Sequence, residues 1–137
     1  NKEIKSEKSF WLIKASHDAY SKSNGVIHER QIQYFHDSHK LEGCDKLIKT
    51  KNFKSSNFEL RFHLLPNIKL TKLLNNECIL IESNNAGWKF TCKNHNMDIE
   101  TGLYFGMKNK YLENKNILVS GLTDPEEQNI FWEIAKI

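Results

Sequence analysis

Five residues within fourteen positions have side chains that can move a proton or hold an anion: His17, Asp18, Tyr20, His28 and Arg30. All lie in the stretch "ASHDAYSKSNGVIHERQIQYF", Ala15 to Phe35. An imidazole can give or take a proton near neutral pH. A phenol stays protonated up to about pH 10, so a tyrosine acts as a base only beside a cation. A guanidinium grips a carboxylate with two parallel hydrogen bonds. Tyr20 facing His28 or Arg30 across a hairpin would meet the requirement for a base. His17, Tyr20 and His28 are therefore the candidate catalytic residues, with Arg30 a candidate contact for an anionic substrate. The same residues also read as a structural hairpin. In that reading Asp18 satisfies turn amides, Tyr20 packs, and Arg30 pairs with a carboxylate. Polar side chains on a strand face are ordinary where that face meets water or another domain.

The pattern that must position these groups has a period of two. "VIHERQIQYF" puts Val26, His28, Arg30, Ile32 and Tyr34 on one face. "NFELRFHLL" alternates most clearly, with Phe58, Leu60, Phe62 and Leu64 inward and Glu59, Arg61 and His63 outward. "FWLIKA", "IKLTKLL", "ECILIES", "GWKFTCK", "IETGLYFGM" and "NILVSGL" complete a series of short segments separated by turn residues. Such spacing predicts an all-β antiparallel β-sandwich. Asn24-Gly25 predicts a tight hairpin. Asn84 and Asn85 are expected to supply positive φ ahead of Gly87, and Pro66 to close a strand. The last segment is ambiguous. Asp124, Pro125 and Glu127 resemble a helix start, whereas Ile130, Trp132 and Ile134 alternate, and a final strand at the sheet edge is expected.

Composition narrows the class. The chain has 137 residues, one domain's worth, with 39% hydrophobic and 27% charged residues and a net charge of +3. That charge is small and spread out, and "KLIKTKNFK" reads as a solvated loop. No nucleic-acid partner is expected. No apolar run approaches ~18 residues, so no membrane span is expected. Cys44, Cys78 and Cys92 are odd in number and have no metal-type spacing, and "HDSHKLEGC", with His36 and His39, fits no common metal motif. No metal and no cofactor is expected. Arg61 and Trp88 are further candidates for contact with a ligand. Arg61 points away from the core, and Trp88 follows a turn where an indole can stack on a flat or apolar ligand face. A solvated Arg61 and a core Trp88 are the plainer alternatives. "NKEIKSEK" at the start reads as a charged leader over residues 1–9, with the domain running from 10 to 137.

Four segments in order, "SHDAY…VIHERQIQYF…KLEGCDKL", "FELRFHLLPNIKL", "ILIESNNAGWKF" and "GLYFGMKNK", resemble the C-terminal β domain of heparinase II/III-like polysaccharide lyases. Ala19 stands where the family's "HDGY" segment has glycine. The resemblance implies cleavage of a uronic-acid polysaccharide by β-elimination. It also implies a location in the periplasm or outside the cell, an N-terminal α/α toroid as partner domain, and principal catalytic groups upstream of Asn1. The acidic polysaccharide would then be bound by the full-length protein, and this domain alone would be catalytically incomplete. A non-catalytic carbohydrate-binding or structural sandwich is the alternative.

Overall fold

A computed structural model describes residues 1–137 as eleven strands and no helix. They are β1 (Lys2–Ser6), β2 (Phe10–His17), β3 (Val26–Phe35), β4 (Lys40–Lys49), β5 (Asn57–His63), β6 (Lys69–Lys72), β7 (Ile79–Ser83), β8 (Ala86–Thr91), β9 (Asn96–Met107), β10 (Lys110–Leu122) and β11 (Gln128–Lys136). Every pairing is antiparallel. An eight-stranded sheet runs β1-β2-β3-β4-β11-β8-β7-β6, and a three-stranded sheet runs β5-β10-β9. The all-β sandwich expected from the alternation is the fold.

The core forms where the two sheets face each other. Leu47, Ile79, Ile81, Phe90, Ile130 and Trp132 of the large sheet meet Leu60, Met97, Ile117 and Val119 of the small one. Phe62 of β5 lies 4.9 Å from Phe90 and 4.8 Å from Trp132, ring centre to ring centre. Its predicted inward face, Phe58, Leu60, Phe62 and Leu64, packs on this cluster.

The final segment is a strand, but it is an interior one. β11 lies between β4, which it pairs from Gln128 to Ala135, and β8, which it pairs from Glu133 to Lys136. The apparent helix start before it is an Asx turn, in which Glu126 N donates to Asp124 Oδ1 at 3.0 Å. Residues 2–6, expected to be leader, form β1 against β2, although all five are exposed.

Asn24-Gly25 does not make a two-residue hairpin. Eight residues, 18–25, join β2 to β3, and Gly25 closes that loop at φ +67°. A Cβ there would sit 2.3 Å from the backbone of Asn52 and Phe53, so the position demands glycine for space as well as for φ. Asn84 and Asn85 do form a two-residue connection from β7 to β8, but without positive φ. The left-handed positions belong to His39, Asn67, Asn76, Asn94 and Asn109, each between strands. Asparagine tolerates that region through local hydrogen bonding of its short side chain.

Candidate functional site

The candidate residues assemble because of register. β2 and β3 pair His17 with His28, and β3 and β4 pair Arg30 with Asp45. In antiparallel neighbours, directly opposite residues share a face. The inward face of β4 carries Gly43, Asp45 and Leu47, all buried. Asp45 is therefore driven inward by the strand's own alternation, and its side chain has 0% exposure.

Its carboxylate is the hub of the cluster. Oδ1 accepts from His28 Nε2 at 2.6 Å and from Arg30 Nε at 2.6 Å. Oδ2 accepts from Arg30 Nη2 at 3.1 Å and from Trp132 Nε1 at 2.8 Å. Burial pushes the Asp45 pKa up, but hydrogen bonds from His28 and Arg30, the Arg30 charge and the Trp132 indole together outweigh it. The net direction is down, and Asp45 is a carboxylate. The Arg30 guanidinium also lies over the rings of Phe62, at 5.2 Å, and Trp132, at 5.9 Å. Such faces favour a cation.

The hub orders a relay that ends at the surface. With its Nε2–H given to Asp45, His28 keeps a lone pair on Nδ1. That atom lies 3.1 Å from His17 Nε2. His17 Nε2–H then donates into it, leaving a lone pair on His17 Nδ1, which faces Ala19 N–H at 3.4 Å. One choice of tautomers satisfies all three contacts. Tyr20 packs edge-on against the His17 ring, 5.3 Å between centres, and its hydroxyl makes no hydrogen bond within the chain.

A cavity of about 540 Å³ opens over this relay, between β2–β3 and β5. His17, Tyr20, His28, Arg30 and Arg61 all line it. Five of the six candidate residues thus share one concavity. Arg61 is not a free cation there. Its guanidinium pairs with Glu100 Oε1 and Glu59 Oε2, each at 2.7 Å, and these two hydrogen bonds raise its pKa. Trp88 lies elsewhere, on β8, packed against the core beside Ile81. His36 and His39 stay in the β3–β4 turn, where His39 Nδ1 meets the Tyr34 hydroxyl at 3.0 Å, while Cys44 faces Asn129.

The sequence reading overlooked Asp45. Its signal was an acid inside the inward series Leu41, Gly43, Asp45, Leu47, which an isolated strand cannot bury without cationic partners.

A family model described as "Heparinase II/III-like, C-terminal" matches residues 2–133, nearly the whole chain. The chain belongs to the heparinase II/III-like family. Among solved structures, it is similar to the heparan sulfate lyase HepC from Pedobacter heparinus, with TM-score 0.82 at 11% identity. It is also similar to heparinase III, the BT4657 gene product, with TM-score 0.73 at 12% identity. The alignments cover 98% and 99% of this chain but 21% of either larger protein. The match is to the fold, and this heparinase II/III-like domain spans about a fifth of those chains. No curated protein matches the sequence.

Proposed function

We propose that this domain serves a polysaccharide lyase that cleaves a uronic-acid polymer by β-elimination, and that His17, Tyr20 and His28 form one wall of its substrate cleft. The observation that carries the reading is the cavity itself. It gathers two histidines and a tyrosine, and a buried carboxylate orients His28 and, through it, His17. β-Elimination needs three services: neutralisation of the uronate carboxylate, removal of the proton at C5, and protonation of the leaving oxygen at C4. The relay can supply proton transfer, because the His17 Nδ1 lone pair is held only by a long contact to Ala19. It cannot supply carboxylate neutralisation unaided, because Arg30 is already balanced by Asp45 and Arg61 by Glu59 and Glu100. The remaining groups are supplied by other parts of the full-length protein, which makes the isolated domain inactive.

A second reading, a non-catalytic structural module, is favoured by one fact. Asp45, His28, Arg30 and Trp132 satisfy one another without a ligand.

The test is elimination itself, which creates an unsaturated uronate absorbing in the ultraviolet. The 137-residue chain and the longer polypeptide that carries it are each incubated with heparin, heparan sulfate, chondroitin sulfate and alginate. Cleavage is expected only from the longer protein. His17→Ala there should lower kcat about 10²-fold or more while leaving the unfolding midpoint unchanged, since His17 is exposed. Full turnover in a folded His17→Ala protein removes the relay from the mechanism. Failure of the longer protein on every polymer favours the structural reading.

A further inference from the structure

The two sheets are unequal, and the excess is apolar. Three strands face a sheet of eight, and β1 and β2 lie beyond their cover: β3 still contributes Val26 and Ile32 to the core, whereas no residue of β1 or β2 joins it. Register shows what that part carries on the face that continues the core. One cross-strand row runs Ile4, Ile13, Ile32, Gly43, Trp132. The next runs Ser6, Trp11, Tyr34, Leu41, Ile134, Phe90. Both rows begin in solvent and end in the core. Ile4 is 58% exposed and Ile13 37%, whereas Trp132 is 5% and Phe90 0%. Trp11 and Tyr34 stack at 5.7 Å on the same face. Two largely apolar rows that run from the core out into solvent at the β1–β2 end lack a covering layer there.

The small sheet ends where that layer would begin. β9 lies toward β6, joined by the Lys72–Asp98 ion pair at 2.8 Å. β5 is the opposite edge, and it shares the cavity wall with β2 and β3. β5 bonds to β10 through its even-numbered neighbours: Leu64 N donates to Lys115 O and Thr123 N to Ser56 O. In an antiparallel pair these bonds alternate. The backbone N–H and C=O groups of Asn57, Glu59, Arg61 and His63 therefore point away from β10, unpaired, over the open face.

We propose that β5 is an interior strand in the full-length protein: an extended segment from outside these 137 residues pairs with its free edge and lays alternate apolar side chains on Ile4, Trp11, Ile13, Ile32 and Tyr34. Two features select this occupant. The free donors and acceptors on β5 call for a strand, and the isoleucine rows call for one that is apolar on its inner face. Related folds hold about four fifths of their length outside the matched part, which provides the source. The nearer apolar row, Ile13 and Ile32, lies four residues, roughly 13 Å, from the His17–His28 pair along the same strands. The added strand would cover the rows and become a further wall of the histidine-lined cavity without filling it. This inference stands whether or not the protein is a lyase.

Amide hydrogen exchange tests it. In the 137-residue chain, the amides of Glu59 and Arg61 should exchange freely while those of Leu60 and Phe62 are protected by β10. In the longer polypeptide, the Glu59 and Arg61 amides should slow at least ~100-fold. Ile13→Lys should leave the thermal midpoint of the short chain within a few degrees and lower that of the longer protein markedly. Equal exchange at Glu59 and Arg61 in both proteins overturns the proposal. So does a native polypeptide that ends with these residues and leaves the edge open. Concentration-dependent protection with dimer mass in the short chain alone would instead assign the edge to a second copy.

Discussion

Asp45→Ala removes the acceptor of four N–H bonds at once: one from His28, two from Arg30 and one from Trp132. Breaking a buried charge pair by deleting one partner costs about 3–5 kcal/mol, and an indole N–H buried without an acceptor about 1–3 kcal/mol. The two overlap, and the Arg30 side chain, 31% exposed, can turn part of its charge to water. The total should fall near 3–4 kcal/mol, a large share of the stability of a domain this size. In thermal unfolding this amounts to a drop of roughly 10–15 °C. Asp45→Asn keeps the shape but sets an amide NH₂ against a donor, so a smaller loss, about 2–3 kcal/mol, is expected. The pH dependence has a definite sign. The folded-state pKa of Asp45 is lowered, so its contribution is complete above the unfolded carboxylate value of about 4. It is lost as pH falls from there through the folded value. The gap between wild type and Asp45→Asn should thus be constant from pH 5 to 7 and close in acid. Urea unfolding followed by circular dichroism and tryptophan fluorescence at several pH values measures it. An Asp45→Ala protein within ~1 kcal/mol of wild type, or a gap that does not begin to narrow as pH falls below about 4, would refute the hub.

Gly43→Ala would bring a Cβ to 2.0 Å from the Trp132 ring, displacing the indole that donates to Asp45. A loss of about 2–3 kcal/mol in urea unfolding is expected, and unchanged stability would contradict the packing. Burial, with the Asp45 charge adding to it, pushes the Cys92 thiol up to about 11. At pH 8 a disulfide reagent should therefore modify Cys92 at least ~100-fold more slowly in the native chain than in denaturant, and equal rates would place it at the surface.

Asparagine shows how local and tertiary information divide. Asn67, Asn76, Asn94 and Asn109 take left-handed backbone at strand ends, a preference carried by the side chain itself. Asn24-Gly25 carried the same kind of signal, but its meaning lay 27 residues away. Gly25 abuts the backbone of Asn52 and Phe53, which no local pattern reveals. Residues 2–6, within the segment 1–9 read as a leader, show the same division. β1 is charged and exposed along its length, so its hydrogen bonds to β2 are what make it a strand. Trp88 was a surface candidate by its turn, and the partner sheet decided that it packs on the core.

What the sequence determined by itself was whatever a period of two can encode: the strands, their inward faces, and the placing of His28 and Arg30 on the same side as Val26 and Ile32. It also carried the family resemblance in four ordered segments. Which strand lies beside which was decided only by the tertiary structure. Register between β3 and β4 brought Asp45 under Arg30 and His28, and register between β2 and β3 brought His17 onto His28. The reason is physical. Alternation is a property of one strand, whereas a buried carboxylate is tolerable only when three cationic or polar donors from two other strands converge on it. The partner strands had to be in place before Asp45 could be recognised as the residue that orders the site.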